Sequence, residues 1–184
     1  MIAEADGGAG RLRQYFVAIL SMAVLPLVAH AQTRVYDEYA IKAAYVYNLS
    51  KFVEWPPSAT KNQPFTICVY GRDPYGQKID AVSERTTQGR PISIVRRDHL
   101  TEANCEIAFV GQSETYRLEE AIAFFANSPV LTIGESADFV DKGGIVALVA
   151  SGKRITFEIN LGSANTAGLV FSAQLLRVAT RLVE

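Results

Sequence analysis

The sequence predicts an α/β fold: one domain with a mixed sheet of about five to six strands flanked by helices, then a C-terminal β-hairpin and a long final helix. Three observations predict it. Short apolar runs alternate with helical patterns through the middle of the chain, as parallel strands with crossover helices do. Two apolar runs, 145–150 and 154–161, are joined by Ser151-Gly152-Lys153, which is a hairpin pattern. Residues 165–183 then place apolar side chains at helical spacing.

The first helix is expected over 37–54. Ile41, Tyr45, Leu49, Phe52 and Val53 share one side of it. Asp37 and Glu38 stand in its first turn, where negative charge is favoured. Trp55-Pro56-Pro57 ends it, because a residue before proline avoids the helical region. The first strand is expected over 65–70. Gly71-Arg72-Asp73-Pro74-Tyr75-Gly76 then turns into a short helix near 75–83. Strands follow at 91–96 and 107–110. Ser113 is expected to cap a helix over 114–126, with Leu118, Ile122 and Phe125 inward. Asn127-Ser128-Pro129 ends it before a strand at 130–133, and a single turn near 137–141 leads to the hairpin.

In the second hairpin strand Ile155, Phe157, Ile159 and Leu161 take one face. Arg154, Thr156, Glu158 and Asn160 take the other, which meets water or lines a site. On the expected final helix Leu169, Leu176, Ala179 and Val183 form one stripe. Phe171, Leu175, Val178 and Leu182 form a second beside it. So wide an apolar surface suits burial against a second subunit, or a cover wedged between the sheet and the first helix.

The N-terminus reads as a signal peptide over 1–31. Arg11 and Arg13 precede an apolar run over 15–28, and Ala29-His30-Ala31 supplies a small-x-small cleavage site. Cleavage is expected after Ala31. The run falls short of the about 20 residues that a membrane-spanning helix needs. The domain is then 32–184, in a secreted chain.

The formal net charge is −1 and no basic patch is evident, so nucleic acid is not an expected partner. Cleavage leaves His99 as the one histidine. No G-x-S-x-G elbow, G-x-G-x-x-G turn, phosphate-binding loop or Cys/His cluster is present. No catalytic residue, metal site or cofactor is therefore expected, and the chain is not read as an enzyme. The two cysteines, Cys68 and Cys105, both lie in apolar strand segments. In an oxidising compartment they read as one disulfide, worth about 4 kcal/mol on the chain-entropy model; two buried thiols are the alternative.

Three polar or aromatic features remain. Arg72 and Tyr75 follow the first strand, and ligands of open α/β sheets bind at the carboxyl ends of strands. Arg154, Thr156, Glu158 and Asn160 make a polar ladder. Trp55 either packs a loop onto the core or anchors an interface.

Four segments, taken in order, resemble the YfiR-like family over nearly the whole of the expected mature chain. They are Ile41-Lys42-Ala43-Ala44-Tyr45-Val46-Tyr47-Asn48-Leu49-Ser50-Lys51-Phe52-Val53-Glu54-Trp55-Pro56; Phe65-Thr66-Ile67-Cys68-Val69-Tyr70-Gly71 with Asp73-Pro74-Tyr75-Gly76; Cys105-Glu106-Ile107-Ala108-Phe109-Val110; and the C-terminal block that begins Phe157-Glu158-Ile159-Asn160-Leu161-Gly162. The resemblance implies a small secreted α/β domain without enzymatic activity that forms a homodimer. It implies a periplasmic repressor that holds down an inner-membrane diguanylate cyclase, so limiting cyclic di-GMP and biofilm formation. It further implies that an outer-membrane lipoprotein sequesters the repressor, and that Cys68 and Cys105 match the family's structural disulfide. The second cysteine pair of some members is missing here. On this reading Trp55, Phe157, Leu169, Phe171 and Leu175 contact the partner, and Arg154, Glu158 and Asn160 set its register. The alternative expectation is a small-ligand-binding sensor acting on another membrane receptor, with Arg72 and Tyr75 in its pocket.

Overall fold

A computed structural model describes residues 36–57, 63–100 and 104–184. The expected signal peptide and its cleavage site lie outside the described residues. Helix α1 (Glu38–Phe52) starts where the Asp37 carboxylate accepts the Ala40 N–H at 3.2 Å. It ends where Val53 turns extended ahead of the prolines, opening the two-residue strand β1 (Val53–Glu54). Gln88 Nε2 donates to the Ser50 and Val53 carbonyls at 3.1 and 3.0 Å, satisfying the last turn. The buried face runs through Ala43, Val46 and Leu49, with Val53 following. Ile41, Tyr45 and Phe52 are half-buried at its margin. The face is thus rotated from the expected one, and Lys42 and Ser50 are buried with it.

The chain continues through β2 (Phe65–Tyr70), α2 (Gln77–Ser83), β3 (Thr86–Thr87), β4 (Arg90–Arg97) and β5 (Ile107–Val110). A 3-10 segment (Gln112–Arg117) runs into α3 (Leu118–Phe125), followed by β6 (Leu131–Gly134), β7 (Val146–Ser151) and β8 (Arg154–Asn160). The sheet has eight strands in the order β10-β8-β7-β6-β5-β2-β4-β3, with β10 (Arg181–Val183) at one edge. The two strands beyond the expected five to six, β3 and β10, are short edge pieces whose sequence carries no alternation long enough to read. Strands β4, β2, β5, β6 and β7 are parallel, and β8 returns antiparallel to β7 as the expected hairpin.

Helices cover both faces of this sheet. Phe65, Ile67 and Val69 join α1 and α2 in one core, whereas Cys68 and Tyr70 face α3. β2 is accordingly apolar almost throughout. Because β2 and β5 are neighbours, Cys68 and Cys105 come within 5.9 Å between Cα atoms and form a disulfide.

The long final helix is replaced by four short elements. Helix α4 (Leu161–Thr166) stops at Gly168, whose φ of +71° suits a residue without Cβ. The Leu169 N–H reaches the Ala164 carbonyl at 2.9 Å, and the Gly168 N–H reaches Asn165 at 3.0 Å. That pair of bonds is a Schellman stop. The chain then forms β9 (Val170–Phe171), which pairs antiparallel with β1, Val53 opposite Phe171. Ser172 caps α5 (Ala173–Leu176), and β10 closes the chain beside β8. The apolar stripes are used here one residue at a time, not as a helix face: Leu169, Phe171 and Leu175 are buried, while Val178 and Leu182 are exposed.

Candidate functional site

The central strand β2 has β4 on one side and β5 on the other, so the connections diverge at this point. A crevice is expected outside the carboxyl ends of β2 and β5. It is present, with a volume of about 430 Å³, lined by Tyr39, Arg72, Pro74, Gln112, Ser113 and Glu135. The six residues arrive from four different segments. Tyr39 opens α1; Arg72 and Pro74 follow β2; Gln112 and Ser113 follow β5; Glu135 follows β6. Ser113 therefore does not cap a helix. Its hydroxyl accepts the Arg72 N–H at 2.9 Å and ties the two loops together.

The turn that carries Glu135 is fixed by Phe139. Its ring packs directly on Gly134 and Gly144, and a Cβ at either position would overlap it. Only glycine permits so close an approach. Glu135 itself points into the protein: its side chain is 1% exposed. One carboxylate oxygen, Oε1, takes a very short hydrogen bond from Lys42 Nζ, which also pairs with Glu38 at 2.5 Å. The other, Oε2, is buried with no hydrogen-bond partner. The Tyr75 hydroxyl is also buried and unpartnered. Its ring stands edge-on to Tyr39 at 5.5 Å and to Phe109 at 4.7 Å.

This crowding moves the titrations. Burial alone would lower the Lys42 pKa, but its bonds to Glu135 and Glu38 hold it above the ordinary lysine range. Burial pushes the Tyr75 phenol well up, and the charge of Glu135 adds to that. Burial and the same carboxylate raise Tyr39. Chemically, the floor of the crevice offers an unused acceptor beside a fixed ammonium, and the rim offers the exposed guanidinium of Arg72. Among the described residues no group of His, Cys, Asp or Glu is arranged to hold a metal ion.

Of the expected pocket pair, the structure brings Arg72 to this crevice and places Tyr75 beneath it, in the core. Lys42, Glu38, Tyr39 and Glu135 were not expected. A lysine four residues after Glu38 and a glutamate just past a strand's carboxyl end were the available signals.

The expected partner-contact residues are distributed differently. Trp55, Phe157, Leu169, Phe171 and Leu175 are buried in the core, so their apolar area is already spent within the chain. The Trp55 indole N–H donates to the Glu106 carbonyl at 3.2 Å, and its ring meets Phe65 edge-on. Packing, not anchoring, is its role in this fold. Asn160 is also used internally: Oδ1 accepts the Ser163 N–H at 2.8 Å and Nδ2 donates to the Val140 carbonyl at 2.8 Å. Glu158 pairs with Arg181 of β10 at 2.6 Å, and Arg154 is exposed beside the hairpin turn.

The fold is similar to that of a conserved domain protein from Vibrio cholerae, at TM-score 0.53 and 11% identity over 78% of this chain and 60% of that one. It is also similar to the ABC domain in complex with L-Trp from Streptococcus pneumoniae, at TM-score 0.51 and 11% identity, over 64% of this chain and 55% of that one. The chain thus spans less than two thirds of the length of each, and the likeness is one of fold. The family model described as YfiR/HmsC-like matches residues 39–180, which takes in α1 from its second residue, every strand of the parallel run, the disulfide and the hairpin. The chain belongs to the YfiR/HmsC-like family.

Proposed function

We propose that this protein is a periplasmic repressor that binds the periplasmic part of an inner-membrane diguanylate cyclase and holds it inactive, limiting cyclic di-GMP and biofilm formation. The family match over 39–180 is the observation that carries this reading, because the family is one of periplasmic regulators and is not known for enzymatic activity. Inhibition is a population shift: the repressor need only bind the inactive cyclase more tightly than the active one. The working form is the mature chain 32–184, secreted by the 1–31 segment and acting as a homodimer. An outer-membrane lipoprotein that sequesters it relieves the inhibition. Among the described residues no helix is long and apolar enough to cross a membrane. Contact falls to exposed side chains, with Val178 and Leu182 taking the place of the buried apolar set and Arg154 beside the hairpin turn.

Deleting the gene and measuring cellular cyclic di-GMP tests the reading. A rise is expected, reversed by the whole gene and not by one lacking codons 1–31. An unchanged level would reject the cyclase as partner. A second reading, a sensor whose occupancy by a small ligand sets the regulation of another membrane receptor, is favoured by the crevice at the strand ends.

A further inference from the structure

We propose that the crevice at the carboxyl ends of β2, β5 and β6 binds a small zwitterion, its ammonium end inward on Glu135 and its acidic end outward on Arg72. This inference rests on the sensor reading and gives it a place and a ligand class. Unused hydrogen-bonding capacity is the first support. Glu135 Oε2 and the Tyr75 hydroxyl are buried without a hydrogen bond of good geometry, the Tyr39 phenol being a further donor that interacts with this carboxylate, although buried polar groups are nearly always paired. Of the two, Glu135 lines the crevice, where a donor group could complete it, and Tyr75 packs behind the lining residue Tyr39.

Charge balance is the second support. Glu38 and Glu135 carry two negative charges against the single ammonium of Lys42. A second ammonium neutralises the cluster; the balance matters most at Glu135, whose side chain is 1% exposed, while Glu38 keeps contact with water. The walls are the third. Tyr39 already presents its ring face to a cation, with Lys42 Nζ 4.9 Å from the centroid. Arg72 stands exposed on the rim beside Gln112 and Ser113, suited to a carboxylate. A volume of about 430 Å³ admits a ligand of amino-acid size.

Three probes separate the elements of this site: butylamine, butanoate and 4-aminobutanoate. Each is titrated into the purified protein by calorimetry and by thermal unfolding. The two-ended probe is expected to raise the unfolding midpoint by roughly 5 °C at about a hundredfold excess over its Kd, and each one-ended probe by less. Arg72→Ala, a change at an exposed rim position, is expected to weaken 4-aminobutanoate by about tenfold and to leave butylamine unchanged. Glu135→Gln is expected to abolish binding of both; where that variant does not fold, Arg72→Ala alone decides. Binding of 4-aminobutanoate undiminished in Arg72→Ala would place the ligand elsewhere and overturn this site, while the sensor reading survives. No response to any of the three probes would overturn the ligand class and leave a buried water as the occupant of Oε2.

Discussion

Two ion networks in this molecule use similar residues in opposite ways. At the strand ends, Lys42 and Glu135 pair out of water, Lys42 also meets the partly exposed Glu38, and one Glu135 oxygen is left bare. At the sheet edge, Arg181 joins Glu158 and Asp141 in contact with water. There the guanidinium meets Asp141 through two nitrogens at 2.8 and 2.9 Å. The edge network follows from register, since β10 sets Arg181 directly opposite Glu158. It staples the last strand and is complete. The inner network is costly to bury and incomplete, which is what a binding floor looks like.

The largest effect is expected inside. Lys42→Ala strips the partner from a buried carboxylate and should cost about 3–5 kcal/mol in denaturant unfolding. Replacing Lys42 by Met and Glu135 by Leu together should recover most of it, because the stranded charge is gone. A loss equal to the sum of the two single-variant losses would show that the pair is not coupled. Next in size is the disulfide. Cys68→Ala with Cys105→Ala should cost about 2–4 kcal/mol, and reduction should reproduce it. Gly134→Ala comes third. Its Cβ drives into the Phe139 ring beneath Glu135, for about 1–3 kcal/mol.

pH separates the two networks by sign. Lys42 and Tyr75 have folded pKa values above their ordinary ones. The stability they supply is full below about pH 10 and fades as pH rises through their folded values. Asp141 is held below the ordinary carboxylate range by its bonds to Arg181. Its contribution is present above about pH 4 and fades as pH falls. Circular dichroism at 222 nm should therefore show α1 loosening in base. Acid should release β10 first. A helix signal flat through alkaline pH would contradict the inner half of this contrast. The smallest effect is expected from Arg181→Ala, a minor loss of stability that disappears in high salt because the pair is solvent-exposed.

Legibility followed the same divide. Strand β2 matches its expected bounds, and the hairpin matches within a residue, because burial on both faces or alternation along a strand is local information. The C-terminal segment misled for a physical reason. Residues 169, 171, 175, 176, 178, 179, 182 and 183 fit helical stripes, yet Gly168 is a stop just before them and Ser172 a start among them. Asn165-Thr166-Ala167-Gly168 was the readable sign of the stop. Lys42 and Glu135 lie 93 residues apart, and nothing local tells either that the other completes it. Arg72 was reachable because the strand-end rule needs only the first strand and its loop.

The most direct test of the proposed regulatory role adds purified chain 32–184 to the inner-membrane diguanylate cyclase proposed as its partner, in nanodiscs, and measures cyclic di-GMP synthesis. The account predicts at least about a fivefold fall, the low end of ordinary allosteric coupling, and its loss on Val178→Asp with the unfolding midpoint unchanged. Synthesis that does not respond to saturating protein would contradict it.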